Sequence, residues 1–273
     1  MFRQHRRQTM WGAAFRMADL IFHATVRQTK KGHRSGLMAL GMATLQTAIF
    51  VGAFWLMFSI LGLRGIAIRG NFVLFLLSGI FLFLTHTKAV GAVSSAESST
   101  SPMMLHGPMN TYVSIAAAAL SCLYLQTFSM LIVLFFTHVA LEPVVITDPA
   151  QAALMFILAW FTGCAIGLCF LALKPWFPNF CSIGSSIYQR MNMIASGKMF
   201  VANTLSATML SFFSWNPLFH TIDQARGFTF VNYNPHYTSW QYALIVGVVL
   251  LVLGMMGEHF SRKHTSISWF ATR

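Results

Sequence analysis

The chain has 273 residues, of which 56% are apolar and only 9% are charged, with a net charge of +12. Soluble globular domains carry about 25% charged residues, because their surfaces face water. High apolar content excludes a disordered chain, and the scarcity of charge excludes an ordinary nucleic-acid-binding domain, whose basic surface lies on a water-soluble body. The composition therefore predicts a polytopic inner-membrane protein, with no nucleic-acid partner, whose basic residues set its orientation.

Residues 1–36 contain eight Lys and Arg residues and precede the first apolar run, which begins at Leu37. This segment is too long and too charged for a signal peptide and is expected in the cytoplasm. Residues 11–30 have an amphipathic helical pattern, so we expect a helix in the membrane interface. One face has Trp11, Phe15, Ala18, Phe22 and Val26, and the other has Arg16, Asp19, His23, Arg27 and Lys30. This helix is either a passive anchor or a docking surface for a cytoplasmic subunit.

Five uncharged runs are long enough to cross the membrane, which takes about 20 residues. They are residues 37–61, 71–87, 111–137, 149–173 and 237–257. The basic N-terminal segment and the basic C-terminal tail both favour the cytoplasm, which requires an even number of spans. A sixth span is therefore predicted at residues 178–197. The fold expected is an all-α membrane protein, with a cytoplasmic segment 1–36 and a six-span domain 37–273.

The connection between the second and third spans, residues 93–110, is polar and is expected on the cytoplasmic side. Glu97 is its only charged residue. This segment is either an ordinary loop or a short helix presented to a cytoplasmic motor.

Residues 198–230 are expected to form a re-entrant pair of helices on the outer side. Asn216 suits an N-cap and Pro217 the first helical position, with Gly227 as the expected end of that helix. His220, Asp223 and Arg226 follow at intervals of three, so they share one helix face. Irregular backbone at residues 216–217 is tolerated at membrane depth only if it is buried in protein or lines a wet cavity.

His220 and Asp223 also allow a second hypothesis, a membrane-embedded acyl- or glycosyltransferase, although no nucleophile or metal motif accompanies them. A secondary carrier is a third hypothesis, disfavoured because none of the five apolar runs contains a carboxylate. The chain has no phosphate-binding loop and no metal-ligand motif, so we expect no cofactor or metal. Energy for active transport would then come from another subunit.

Arg190 lies inside the predicted sixth span, where a charge costs about 2.5–3.5 kcal/mol at the helix centre. It either snorkels to the interface or contacts an anionic substrate in a translocation path. Four uncharged candidates for lining the same path are Gln46, Tyr124, Gln126 and Trp160. Each of these four could equally pack between helices.

The chain resembles the permease subunits of ABC polysaccharide exporters, and most closely the capsular polysaccharide permeases of the KpsM type. The similarity is most specific in Ser196-Gly197, in Trp215-Asn216-Pro217-Leu218-Phe219-His220, and in the following Asp223 and Arg226. These permeases have a similar Ser-Gly, Asn-Pro and acid-x-x-Arg succession before their last helix. Lys198 departs from the pattern, since an apolar residue is expected after the Ser-Gly pair.

This resemblance implies a dimer of two permease chains in the bacterial inner membrane, with two cytoplasmic ATPase chains that bind the ATP. It implies that the chain is not itself an enzyme and that the cargo is a capsular or other lipid-linked polysaccharide, or alternatively O-antigen or a lipid. A periplasmic co-polymerase and an outer-membrane channel would complete the path. Arg16, Arg27 and Glu97 would couple to the ATPase. The periplasmic gate would consist of Ser196, Gly197, Trp215, Asn216, Pro217, His220, Asp223 and Arg226.

Overall fold

The computed structural model describes residues 10–32, 34–62, 71–97, 111–141 and 143–264, and the regular structure within these ranges is helical. The helices are α1 (Met10–Lys30), α2 (Gly36–Ile60), α3 (Phe72–Ser94), α4 (Thr111–Ala140), α5 (Pro149–Leu173), α6 (Pro178–Ala195), α7 (Ala207–Phe213), α8 (Pro217–Thr229) and α9 (Trp240–His264). A short 3₁₀ helix, Ala202–Thr204, lies between α6 and α7.

Three of the long helices begin at a side-chain cap. Ser35, Asn71 and Asp148 each accept a hydrogen bond from a backbone N–H in the first turn of α2, α3 and α5 respectively. Such caps satisfy donors that have no partner within the helix. These residues therefore fix where the three apolar runs begin as helices.

The five predicted spans are confirmed as helices that are long and apolar enough to cross a membrane: α2, α3, α4, α5 and α9. Helix α3 continues beyond its predicted end, so Lys88 lies within the helix instead of closing it. The predicted sixth span is helical as α6, but this helix is amphipathic, with apolar side chains such as Phe180 and Ile183 exposed and Ser185 and Asn192 buried. Its crossing of the membrane stays a prediction.

Helix α3 is the centre of the bundle, and α2, α4, α5, α6 and α8 all pack against it. Its closest neighbour is α5, where two glycines remove the side chains that would separate the helices. A Cβ atom on Gly163 would lie 2.6 Å from the carbonyl oxygen of His86, and one on Gly167 would lie 2.8 Å from that of Val90. Small residues of this kind allow close backbone approach between membrane helices.

Helices α1 and α8 lie at opposite ends of α3. Helix α8 packs on the first turns of α3 through Arg226 and Phe75, whereas α1 contacts the groove beside Glu97, just beyond the last turn. A helix of this length spans about 35 Å, enough to separate the two sides of a bilayer. The interface helix and the predicted gate are therefore on opposite sides of the bundle.

The backbone of α8 differs from the prediction at its C-terminal end. Gly227 does not terminate the helix, which continues to Thr229. A Cβ atom on Gly227 would lie 2.7 Å from the ring of Pro235. Gly227 is thus placed where the following chain packs closely against α8, and this contact explains a glycine at that position.

Candidate functional site

The candidate gate is built around Arg226 of α8, whose guanidinium holds the loop of residues 196–202. The Nη1 atom donates hydrogen bonds to the carbonyl oxygens of Gly197, at 2.9 Å, and Phe200. The Nη2 atom donates to the carbonyl oxygen of Lys198 at 2.6 Å. The guanidinium carbon also lies 4.0 Å from the ring centroid of Phe75 on α3. One buried cation therefore satisfies three loop carbonyls and attaches them to α3.

Asp223, one turn earlier on α8, fixes the opposite side of the same region. Its carboxylate accepts hydrogen bonds from the hydroxyl groups of Tyr233, at 2.5 Å, and Thr238, at 2.8 Å. It also accepts one from the backbone N–H of Ala202 at 3.3 Å. Within the described part of the chain, Asp223 and Arg226 make no ion pair with each other. The shared face of α8 is confirmed, but each charge binds a different part of the chain.

His220 is held by backbone groups at both ring nitrogens. Its Nδ1 atom accepts a hydrogen bond from the N–H of Ser239 at 3.0 Å, so Nε2 carries the proton and donates to the carbonyl of Ser214 at 2.7 Å. Burial lowers the pKa of this imidazole. A general base needs a free nitrogen near its substrate, so this arrangement does not favour the transferase hypothesis.

Asn216 joins the start of α8 to the end of α6, in addition to capping its own helix. Its Oδ1 atom accepts a hydrogen bond from the N–H of Leu218 at 3.1 Å. Its Nδ2 atom donates to Asn192 Oδ1 at 2.8 Å and to the carbonyl of Ala195 at 3.0 Å. Pro217 occupies the first helical position. The local conformation predicted for these two residues is confirmed.

Gly197 and its neighbours occupy the turn between α6 and the loop. The backbone of Gly197 has φ +73°, and a Cβ atom there would lie 2.6 Å from the ring of Phe219. Ser196 is fully buried beside it. Trp215 is half exposed, and its carbonyl accepts a hydrogen bond from the hydroxyl of Tyr242 at 2.9 Å. The eight residues predicted for the gate thus lie in one connected region around α8.

Lys198, which departs from the pattern of the KpsM-type permeases, also belongs to this site. Its side chain is 1% exposed, and its ammonium has no hydrogen-bond partner among the described residues. The ammonium instead lies over aromatic rings, 3.6 Å from the centroid of Phe83, 5.1 Å from that of Phe54 and 5.4 Å from that of Phe50. Cation–π contacts of this kind stabilise a desolvated cation.

The sequence shows that the three phenylalanines of this aromatic cage lie in uncharged spans. It does not show that they face one another, because that depends on how α2 and α3 pack. Phe50 and Phe54 are one turn apart on α2, and Phe83 is on α3. The backbone of Lys198 also crosses α3 at Gly79, where a Cβ atom would lie 2.8 Å from its carbonyl oxygen.

The structure brings together two of the five translocation-path candidates. Gln46 and Gln126 line one cavity of about 650 Å³ between α2, α3 and α4. Lys88 lines it as well, and its ammonium donates a hydrogen bond to Gln46 Oε1 at 2.6 Å. This cavity is called the α2–α4 cavity below.

The other three candidates lie elsewhere. Trp160 donates a hydrogen bond from Nε1 to the carbonyl of Ala119 at 2.9 Å, which is a helix-packing contact. Tyr124 is exposed on α4 beside Phe128, with ring centroids 4.7 Å apart. Arg190 is exposed on α6. These three residues do not share a cavity with Gln46 and Gln126.

The predicted coupling residues are partly brought together at the other end of α3. Arg27 and Glu97 line a groove of about 430 Å³ with Lys30 and Lys31, which is called the basic groove below. Arg16 is exposed two to three turns earlier on α1 and lies outside it. On the same helix Trp11 is 79% and Phe15 74% exposed. This is the exposed aromatic face expected of an interface helix.

The fold and the site together define a multi-pass helical membrane protein. No protein-family model matches the chain. It is similar to two proteins of Escherichia coli, each named polysialic acid transport protein KpsM. One is 25% identical over 191 residues, covering 68% of this chain and 71% of the relative. The other is 24% identical over 192 residues, with the same coverage. These matches confirm the resemblance to KpsM-type permeases that the motifs indicate.

Proposed function

We propose that the chain is the transmembrane permease subunit of an ATP-driven ABC exporter, which moves a capsular or other lipid-linked polysaccharide across the bacterial inner membrane. The observation that carries this proposal is the similarity to two polysialic acid transport proteins over 68% of the chain. Five membrane-spanning candidates support it. O-antigen or a lipid is the alternative cargo of the same transport mechanism.

The proposed topology has six spans with both termini in the cytoplasm. Helix α6 is the additional crossing, and its amphipathic character suits a helix that faces a polar path or a second copy of the chain. With this orientation 12 of the 18 basic residues lie on the cytoplasmic side, eight of them before α2, and Lys88 and Arg190 lie within helices. The positive-inside rule therefore supports the orientation.

The proposed gate is the re-entrant pair α7 and α8, together with the loop of residues 196–202. Loop carbonyls at membrane depth need internal hydrogen-bond partners, because lipid supplies none. Arg226 supplies three of these partners, and Asn216 and Asp223 fix the ends of the loop. The gate would open by movement of this region as a unit, since its polar groups are bound to one another.

The basic groove is the proposed coupling site for a separate cytoplasmic ATPase subunit. The chain has no phosphate-binding loop of its own, so the ATPase binds the ATP and this chain needs no cofactor. Two copies of the chain would enclose the path, with a periplasmic co-polymerase and an outer-membrane channel beyond it. The chain itself would perform no chemistry.

The coupling role is tested by co-purification of the chain with a candidate ABC ATPase subunit. Arg27→Glu places a second acid in the groove beside Glu97, so we expect both ATPase retention and ATP hydrolysis to fall at least fivefold. Lys263→Glu, an equal charge change at the exposed end of α9, is the matched control and should leave both unchanged. Equal retention by the Arg27→Glu variant would exclude the groove as the docking site.

A further inference from the structure

We propose that the α2–α4 cavity binds an anionic phospholipid, with the phosphate of its headgroup at Lys88. This site is additional to the gate and the coupling groove, and it rests on the proposed function only for the orientation of the bundle in the membrane. Lys88 lies within a span, where a cation is costly unless it has a partner or a function. Among the described residues, its one hydrogen-bond partner is Gln46, which is neutral.

The charge balance of the cavity favours an anion. No Asp or Glu is among the described residues that line it, whereas Lys88 supplies one positive charge. Gln46 and Gln126 supply amide N–H groups that can donate to phosphate oxygens, and Ser121 supplies a hydroxyl. A phosphate would give Lys88 the charge-assisted partner that the protein does not provide.

The shape of the cavity favours a lipid over a soluble anion. Along α2 the lining runs from Ala39 to Phe50, a distance of about 16 Å, which is close to half of a 30 Å hydrocarbon core. The end near Ala39 also includes Gln28 of the interface helix α1. The cavity therefore extends from the interface to the depth that one leaflet occupies.

The cavity is also open toward the surrounding lipid. Met42, Leu45 and Ile49 line it on α2, and each is more than half exposed. Its volume of about 650 Å³ is within the range of about 300–1,000 Å³ typical of ligand sites. An acyl chain can lie against Ile49 and Phe50, one turn beyond Gln46 toward the middle of the membrane, while the headgroup reaches Lys88.

The binding test uses the full-length chain purified in dodecyl maltoside, with dioleoyl phosphatidylglycerol as the probe and native mass spectrometry to count retained lipid. We expect one saturable phosphatidylglycerol per chain. Lys88→Gln should weaken its binding at least tenfold, and Lys88→Arg should restore it to within threefold. Lys174→Gln, the same charge change at the end of α5, should bind as the unchanged chain does.

A second variant tests the volume of the cavity without changing charge. Ala43→Trp fills the cavity from α2 and should abolish retention of phosphatidylglycerol. This variant tests the site even if the Lys88→Gln variant does not fold. Dioleoyl phosphatidylcholine and inorganic phosphate are the two comparison ligands, and each should bind at least tenfold more weakly. Lys88-dependent binding of inorganic phosphate as tight as that of phosphatidylglycerol would identify a soluble anion and overturn the lipid site.

Equal binding of phosphatidylglycerol by Lys88→Gln and the unchanged chain would also overturn the proposal, as would unaltered binding by a folded Ala43→Trp variant. The assay contains no ATPase and no polysaccharide, so it separates the two proposals. Lipid binding that depends on Lys88, in a chain with no export activity, would contradict the exporter function and support the lipid site. Normal export with lipid binding that does not depend on Lys88 would support the exporter function and contradict the lipid site.

Discussion

The ammonium of Lys198 lies 3.6 Å from the ring centroid of Phe83, so a buried cation of the 196–202 loop is held by an aromatic face of α3. Phe54 and Phe50 of α2 complete the cage. Removing an ammonium from water costs several kcal/mol, and a desolvated cation–π contact returns about 2 kcal/mol. The aromatic rings therefore offset part of the cost of burying this ammonium, and the contact joins the loop to two spans.

The cation–π contact predicts a coupling between Lys198 and Phe83. Phe83→Leu should destabilise the protein by at least about 1 kcal/mol more in the unchanged chain than in a Lys198→Met background. The measurement is a double-mutant cycle on thermal unfolding in detergent. Phe81→Leu, also buried on α3, is the matched control and should show no coupling to Lys198. Additive effects of Phe83→Leu and Lys198→Met would contradict the contact.

Because Arg226 donates hydrogen bonds to three carbonyls of the loop, we expect that lysine cannot replace it. An ammonium lacks the planar fork that reaches three carbonyls at once, and each charged hydrogen bond that is lost costs about 1.5–3 kcal/mol. Arg226→Lys should therefore lower the unfolding midpoint Tm by several degrees, nearly as much as Arg226→Ala. Arg190→Lys, the same change on the exposed side of α6, should leave Tm unchanged. A stable Arg226→Lys variant would show that charge alone suffices.

The crossing of the loop over α3 predicts a position-specific glycine effect. A Cβ atom on Gly79 would lie 2.8 Å from the carbonyl of Lys198 and 2.9 Å from Arg226 Nη2. Gly79→Ala should therefore lower Tm and increase proteolysis in residues 196–202. Gly41→Ala on α2, where nothing lies within 4 Å of the added atom, should be neutral or stabilising. Similar effects of the two substitutions would argue against the close crossing.

His220 predicts a pH dependence of stability with a definite sign. Its pKa is lowered below the ordinary 6.5 by burial, so the folded protein keeps the imidazole neutral while the unfolded chain takes up a proton. Stability from this group is fully present above pH 6.5 and is lost as pH falls below it. Tm measured from pH 7.5 to 5 should fall more steeply for the unchanged chain than for His220→Gln. Parallel curves would show that His220 does not titrate in this way.

Most of the helical architecture could be predicted from the sequence, because hydrocarbon thickness sets the length of an apolar run. Residues 149–173 were predicted to the residue as α5, and the Asn216-Pro217 start of α8 followed from capping chemistry. The crossing at α6 was predicted from the even number of spans and not from hydrophobicity, because the apolar side chains of α6 occupy only one face. Gly227 was wrongly placed at the helix end, since a glycine that accommodates a tertiary contact looks the same as a terminator.

The hydrogen-bond partners of the site residues could not be predicted from the spacing of residues along the chain. Intervals of three placed Asp223 and Arg226 on one face, but the hydrogen-bond partners of Arg226 are carbonyls 26 to 29 residues earlier in the chain. Those of Asp223 are one backbone N–H 21 residues earlier and two hydroxyls 10 and 15 residues later. Lys88 was expected to end its span, and its pairing with Gln46 depends on how α2 and α3 face each other. Such contacts depend on how helices pack together, and the hydrophobic periodicity of a single helix does not predict this packing.

The central claim is that this chain carries polysaccharide with energy from a separate ATPase. The most direct measurement co-reconstitutes the chain with a candidate ABC ATPase subunit in vesicles and follows uptake of lipid-linked polysaccharide. We expect uptake that needs both proteins and ATP hydrolysis, and that falls at least fivefold with Arg27→Glu. Uptake driven by an ion gradient without ATP, or a covalently altered polymer without uptake, would contradict it.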